Sequence, residues 1–488
     1  MKLKTLTQRI SVALFLLAGS AWASKPAFAE ASTSAKATAG KPNVILILTD
    51  DQGYQDLGCY GAPKIKTPHL DQMAQEGARF TDFYAPASLC SPSRAGMLTG
   101  RYPARQGIHR VFFPHHTSGM PVEEITIAEL LKTQGYKTAA IGKWHLGHLP
   151  KFLPTNQGFD SYYGIPFSND MWADPKMTIS SNIVWREGAD LNTFKSARKR
   201  GPVPLMRNTE VMEYPVDQST VTRRYTDETI KTIDAAGDAP FFIFLGHTMP
   251  HVPLYASAEF EGKSAGGLYG DTIEELDYNV GRILDHLKAN GLAENTLVLF
   301  TSDNGPWQLK GNKERYEGGS AKPLRGYKFG TYEGGMREPF IAWWPGTIPA
   351  GKVCSEPASG IDLLPTIAGL SGAAVPSDRV IDGKDIWPLM VGAAGAKSPQ
   401  DSYFYYSKSG IEAVRQGDWK LRIDRRKSAK KKKGGKQNSG VELYNLREDI
   451  SESNNLATQY PERVAEMKKV METFDAELQA NARPPVAL

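Results

Sequence analysis

The chain has 488 residues, 41% hydrophobic and 23% charged, values that exclude a disordered or collagen-like polymer and suit two or three globular units. Its formal charge is +5, but the first 29 residues hold four Lys or Arg and no acid. Without them, 54 basic residues face 53 acidic ones, which excludes a general nucleic-acid binder.

Residues 1–29 read as a cleavable signal peptide. Lys2, Lys4 and Arg9 precede an apolar run from Ile10 to Ala18, and small-x-small sites follow at Ala21–Ala23 and Ala27–Ala29. The run is too short to span a bilayer, and no later stretch is long enough, so no membrane span is expected. Residues 30–41 are small and polar and read as a flexible lead-in. The expected location is periplasmic or secreted. The three cysteines, Cys59, Cys90 and Cys354, make no disulfide framework, and the odd count leaves at least one thiol for another role.

Four short apolar runs then end in polar clusters. Val44–Leu48 runs into Thr49-Asp50-Asp51, and Thr138–Ile141 into Gly142-Lys143-Trp144-His145. Phe241–Leu245 runs into Gly246-His247-Thr248-Met249-Pro250-His251, and Leu297–Phe300 into Thr301-Ser302-Asp303-Asn304-Gly305. Continuous apolar runs of four or five residues predict strands buried on both faces, as in a parallel sheet under helices. Helical periodicity between them, at Ile125 to Gln134 and Asp271 to Leu287, makes the fold α/β, with ligands expected at the carboxyl ends of the strands. All four polar clusters fall on that edge.

The character changes near residue 375. Ser402–Tyr406, Ile411–Val414, Trp419–Ile423 and Val441–Tyr444 predict short strands, and Tyr460 to Ala480 a helix. The expected organisation is a catalytic domain at 42–375 and a C-terminal subdomain of antiparallel sheet plus helix at 376–488. Residues 425–436 hold eight basic residues in twelve. They read as an exposed loop, either merely solvated or a tether for a polyanion.

Cys90-Ser91-Pro92-Ser93-Arg94 continuing to Thr99-Gly100-Arg101 resembles the sulfatase signature. Asp50–Tyr54, Gly142–Gly147, Pro250–Pro253, Asp303–Gly305 and Lys328–Gly335 resemble further segments of that family, in its order. The chain is thereby identified as similar to the formylglycine-dependent (type I) sulfatases, arylsulfatase A-like, in a bacterial exported form. The resemblance implies an alkaline-phosphatase-like mixed sheet sandwiched by helices, and a sulfuric ester hydrolase. It implies that a formylglycine-generating maturation enzyme converts Cys90 to 3-oxoalanine, the formylglycine aldehyde. A hydrated aldehyde offers one hydroxyl to attack sulfur and a second whose deprotonation releases sulfate, which splits one hard step into two.

Asp50, Asp51, Asp303 and Asn304, with the oxygen of residue 90, are hard ligands and favour Ca²⁺ or Mg²⁺ over zinc. The residues alone leave both ions open; the resemblance points to calcium. It further assigns Arg94 to hold the diol and the ligands. Lys143 and Lys328 would neutralise sulfate and bridging-oxygen charge. His251 would act as acid toward the leaving alcohol, and His145 would accept the second diol proton. Ser168 would contact substrate together with Lys143, His251 and Lys328, whereas His247 is expected to be structural. His115-His116, Asn169–Trp172, Trp307 and Lys310–Arg325 are the candidate specificity loops, and a sulfated carbohydrate is the expected substrate.

Overall fold

In chain order the strands are β1 (Asn43–Thr49), β2 (Ala78–Tyr84), β3 (Lys137–Gly142), β4 (Ser161–Gly164), β5 (Thr178–Trp185), β6 (Leu205–Arg207), β7 (Glu210–Tyr214) and β8 (Phe241–Gly246). They continue with β9 (Thr296–Ser302), β10 (Arg337–Trp343), β11 (Lys352–Cys354), β12 (Ala358–Ser359), β13 (Tyr403–Ser407), β14 (Gly410–Gln416), β15 (Trp419–Ile423) and β16 (Val441–Asn445). This computed structural model describes residues 40–197, 201–308, 317–407, 410–424 and 440–487. The expected signal peptide, the basic run 425–436 and part of the Lys310–Arg325 loop lie outside the described residues.

The four apolar runs are neighbours. β9, β1, β8 and β3 lie side by side and all run parallel, with Leu48 opposite Gly246 and Thr49 opposite Ser302. Their carboxyl ends therefore meet along one edge. On one side β10 runs antiparallel to β9 and β2 antiparallel to β10, and on the other β4, β6, β7 and β5 extend the sheet, so it is mixed. Each central strand feeds two cores by simple alternation. Val44, Leu46 and Leu48 pack into one, and Ile45 and Ile47 into the other. Full burial of such a side chain contributes roughly 1.5–3 kcal/mol, so these runs anchor the molecule.

Helices cover both faces. On one face, α1 (Pro68–Glu76) supplies Leu70 and Met73 to the core that holds Ile45. On the other, α2 (Cys90–Thr99) and α3 (Ile127–Lys132) pack Met97, Leu98, Ile127 and Leu131 around Leu46. The Ile125–Gln134 pattern is α3, opened by a capping box between Thr126 and Glu129. After the short α4 (Leu191–Ser196) come α5 (Val221–Ala236) and α6 (Gly267–Ala289), both on the Ile45 face. The Asp271–Leu287 pattern is α6. Then α7 (Leu363–Ser371) returns to the Leu46 face, followed by the short α8 (Trp387–Met390). Among the described residues no helix is long and apolar enough to cross a membrane.

β13–β14–β15–β16 form a separate antiparallel sheet, covered by α9 (Pro461–Ala480) through Met467, Met471 and Leu478. The four strands and the helix fall where the turn signals and apolar spacing put them. This sheet shares its core with Tyr84, Tyr102 and Met336. Cys59 and Cys354 are both free thiols; they pack into opposite cores, one on each side of the large sheet, so no disulfide joins them.

Candidate active site

Asp50 and Asp51 follow β1, Asp303 and Asn304 follow β9, and Lys143 and His145 follow β3. The parallel register of those strands brings all six to one edge. Glycine makes the approach close enough. A Cβ on Gly142 would sit 1.9 Å from the Gly246 carbonyl oxygen, and one on Gly305 would sit 2.1 Å from that of Gly334. The second contact lets the Asp303–Gly305 turn lie against the segment that carries Lys328.

Cys90 is the first residue of α2, so Arg94 lies one turn along, as its spacing predicts. The Cys90 thiol donates to Asp50 Oδ1 at 3.4 Å and receives Lys328 Nζ at 3.4 Å. Arg94 donates from Nε to Asp303 Oδ2 at 2.8 Å and from Nη1 to the Lys143 carbonyl at 2.8 Å. Lys143 pairs with Asp50 at 2.5 Å, and Lys328 with Asp51 at 2.7 Å. Three buried carboxylates thus meet three buried cations.

Burial alone would raise the pKa of Asp50, but the charges of Lys143, His251, Arg94 and Lys328 outweigh it and hold the group well below the usual carboxylate range. Asp303 is pushed up to about 6 by burial and by Asp50, against the pull of Arg94 and Lys143. Burial pushes the Cys90 thiol well above its ordinary value, so an unmodified Cys90 stays protonated and is a poor nucleophile.

The donor set fits a hard cation. Asp50, Asp51, Asp303 and residue 90 each offer an atom within 4.8 Å of the others, all buried. The Asn304 amide nitrogen donates to Asp51 Oδ1 at 2.7 Å, while its Oδ1 is buried without a partner. An unpartnered amide oxygen beside three carboxylates is suited to Ca²⁺ or Mg²⁺.

Two histidines have assignable tautomers, because a carbonyl only accepts. His145 Nε2 donates to the Phe112 carbonyl at 3.0 Å, leaving Nδ1 as a bare, buried acceptor with no partner. Burial and the charge of Lys143 push its pKa well down, so the ring is neutral. His251 Nδ1 faces the Val252 carbonyl at 2.6 Å and Asn169 Oδ1 at 2.9 Å and so carries hydrogen. Its Nε2 lies 3.6 Å from Asp51 Oδ2, and Ser168 Oγ lies 3.2 Å from both ring nitrogens. Ser168 also receives Lys143 Nζ at 3.4 Å. His247 is fully buried with neither ring nitrogen bonded.

Cys90, His145, Ser168, His251 and Lys328 line one cavity of about 320 Å³, which is otherwise walled largely by apolar side chains. Every site residue expected from sequence is therefore gathered at this edge. Sequence reasoning missed the apolar wall of Leu89, Val111 and Phe113, because one to three apolar residues in a loop are too few to carry a periodic signal. It placed Asn169 in a specificity loop, but the residue is buried and its amide donates to Gln218 and the Pro253 carbonyl, which aims its oxygen at His251. Glu333 was also missed. It receives Tyr84 at 2.6 Å, Tyr405 at 2.7 Å and Lys420 at 2.8 Å, contacts that depend on strands distant in sequence.

A mixed sheet of this topology, with a buried nucleophile position, carboxylates and cations at the strand ends, defines an ester hydrolase of the alkaline-phosphatase-like class. The chain belongs to the sulfatase family, whose profile matches residues 42–373, and is a sulfuric ester hydrolase. A second profile, that of the N-sulphoglucosamine sulphohydrolase C-terminal region, matches residues 327–481. The chain is 41% identical over 393 residues to human arylsulfatase A, covering 79% of this chain and 75% of the relative. It is 39% identical over 398 residues to N-acetylgalactosamine-6-sulfatase of Canis lupus familiaris, covering 78% and 71%. Among solved structures, Ps i-CgsB in complex with k-i-k-neocarrahexaose matches with a TM-score of 0.75 and 29% identity, covering 91% of this chain and 94% of that one.

Proposed function

We propose that the chain hydrolyses the sulfate ester of a sulfated carbohydrate, using formylglycine at residue 90 and one calcium ion. The observation that carries this reading is the convergence of residue 90 with Asp50, Asp51 and Asp303 within 4.8 Å, at the floor of a cavity. The names of two similar proteins, an N-acetylgalactosamine-6-sulfatase and a structure in complex with k-i-k-neocarrahexaose, support a carbohydrate. Asp50, Asp51, Asp303 and Asn304 would hold the ion, magnesium being the alternative, and the ion would polarise a sulfate oxygen. At residue 90 the hydrated aldehyde would supply one hydroxyl as the nucleophile toward sulfur and a second whose deprotonation would release sulfate.

The chain's own side chains do the rest. Lys143 and Lys328 neutralise charge that builds on the sulfate oxygens and the bridging oxygen. Ser168 donates to the sulfate. His251, with Nε2 toward the cavity and Nδ1 fixed by two carbonyl oxygens, hands a proton to the leaving alcohol. Burial lowers the pKa of this ring, with Asp51 beside it opposing part of that shift, so the proton it hands on is weakly held. His145, neutral with Nδ1 bare, accepts the proton whose loss releases sulfate. Arg94 keeps Asp303 in place.

The reading includes a cleaved signal peptide at 1–29, a flexible lead-in at 30–41, a periplasmic or secreted location, and a maturation enzyme that oxidises the Cys90 side chain to the aldehyde. It divides the chain into a catalytic domain at 42–375 and a C-terminal subdomain at 376–488. Mass analysis of the Cys90 peptide from active protein tests it. The aldehyde, with activity proportional to its fraction, is the expected result. Full activity in protein that carries only cysteine at residue 90 would overturn it.

A further inference from the structure

Beyond the sulfate-handling floor, the cavity is flanked by aromatic rings. Phe113 stands on one side with Trp172, the ring centroids 6.4 Å apart and the planes within 30°. Trp307 and Phe329 stand as an edge-to-face pair, centroids 5.3 Å apart. Phe329 immediately follows Lys328, yet it is 50% exposed and belongs to none of the packed cores. A large apolar ring left in solvent beside a reactive centre has no folding role to explain it.

Its backbone adds a second observation. Phe329 has φ of +74°, the left-handed region that disfavours a bulky side chain. Among the described residues six non-glycines do this, and two others are Asp51 and His145, both at +62° and both in the site. Such strain persists where surroundings enforce it. Here the Phe329 N–H donates to the Ser88 carbonyl at 3.0 Å, two residues before Cys90, while the Lys328 N–H is held by the Pro306 carbonyl at 3.1 Å. The backbone is pinned on both sides of the cavity mouth, and the ring is thereby presented at its rim.

We propose that Phe329, backed by Trp307, is a stacking platform for the ring that bears the sulfate. The site then takes sulfate on a flat-faced six-membered ring, a sugar or an aryl group, in preference to sulfate on a flexible chain. A rigid ring loses little conformational freedom when it packs on an aromatic face, whereas a flexible chain must give up several rotamers. This deepens the sulfatase reading and rests on it. The platform touches the leaving group away from the reacting atoms, so it acts equally on ground and transition states. It belongs in KM and not in kcat.

The experiment compares wild type, Phe329→Ala and Phe329→Tyr, all with residue 90 matured, on 4-nitrophenyl sulfate, N-acetylgalactosamine 6-sulfate and hexyl sulfate. Phe329→Ala is expected to raise KM for a ring ester about three- to tenfold, with kcat held within about twofold, and Phe329→Tyr to restore it. KM for hexyl sulfate is expected to stay unchanged. A rise confined to the sugar ester identifies a carbohydrate ring, and a rise confined to the aryl ester an aryl ring; each supports the platform. Unchanged KM for both ring esters, or an equal rise for hexyl sulfate, overturns it. The same comparison is read as Kd by calorimetry in a Cys90→Ala background. That measurement decides the platform even if turnover of every ester is absent, the outcome that would instead defeat the sulfatase reading.

Discussion

Lys420 on β15 donates to Glu333 at 2.8 Å, and neither side chain is exposed. Lys420 also meets Glu452 at 2.9 Å, and the Glu452 carboxylate accepts the Glu333 backbone N–H at 2.7 Å. Two residues earlier, Thr331 donates to Glu412 on β14 at 2.8 Å and receives Arg422 on β15 at 3.0 Å. The segment that carries Lys328 into the site is therefore held from behind by the small C-terminal sheet.

Removing one partner of a buried ion pair strands the other, at a cost of about 3–5 kcal/mol. Lys420→Met strands both Glu333 and Glu452. It is expected to lower the melting temperature sharply and, in protein still folded, to lower kcat/KM by loosening Lys328. Calorimetric melting together with steady-state kinetics checks both effects.

The same pair sets an acid limit. Burial raises Glu333, but Lys420, Arg337 and Arg415 outweigh it and bring its pKa down to about 2 from 4.5. A depressed carboxylate contributes stability above its unfolded pKa and loses it as pH falls through the folded one, here from about 4.5 to about 2. Roughly 3 kcal/mol is at stake, at 1.36 kcal/mol per unit. Glu452, pushed upward by burial and by Glu333, offsets part of this. Urea unfolding at stepped pH is expected to show the loss in that window, and Glu333→Gln to flatten it.

Cys90→Ala is expected to abolish turnover while the melting temperature stays close to wild type, because one small side chain at a helix start contributes little packing. Kinetics and circular dichroism on the same preparation decide it. Measurable turnover by a well-folded Cys90→Ala protein would remove residue 90 from the chemistry.

Asp303→Asn keeps the shape of the ligand and the hydrogen bond from Arg94 while removing a charge. Metal affinity and kcat are expected to fall together, and the variant to need more Ca²⁺ or Mg²⁺ for half-maximal activity. Chelation of the wild type is expected to stop turnover, and either ion to restore it. Stoichiometric zinc that supports activity would contradict a hard-ion site.

Asn169→Ala removes the side-chain acceptor that, with the Val252 carbonyl, fixes Nδ1–H of His251. Loss of such an orienting partner typically costs ten- to a hundredfold at metal-ligand histidines, and a fall in kcat of about tenfold is expected here. The fall is expected to be larger for an alkyl or sugar ester than for 4-nitrophenyl sulfate, whose good leaving group needs little proton assistance. Equal losses on both would place Asn169 outside the proton-transfer step.

The central strands were legible because Val44–Leu48, Phe241–Leu245 and Leu297–Phe300 are buried on both faces, and burial on both faces writes an unbroken apolar run. Asp50, Lys143 and Asp303 were legible because each follows such a run. The outer strands β4 to β7 were not. β4, β6 and β7 are only three to five residues long, the eight-residue β5 is mostly exposed or half-buried, and they pair with mixed direction, so no unbroken apolar run marks them. The roles of Asn169 and Glu333 escaped for a different reason. Their partners come from distant segments, and a polar residue in a loop looks the same in sequence whether it faces water or a buried histidine.

Cys90 is 1% exposed in the folded chain, beneath Asp50, Asp51 and Lys328. A second protein cannot reach a thiol closed off in this way. If residue 90 is converted to an aldehyde as proposed, the conversion would have to come while the chain is still open, before β1, β9 and α2 come together. On that reading maturation would race folding, and burial would fix the order of events: a chain that closed first would keep its sulfur and stay inert, however well its carboxylates and cations are arranged.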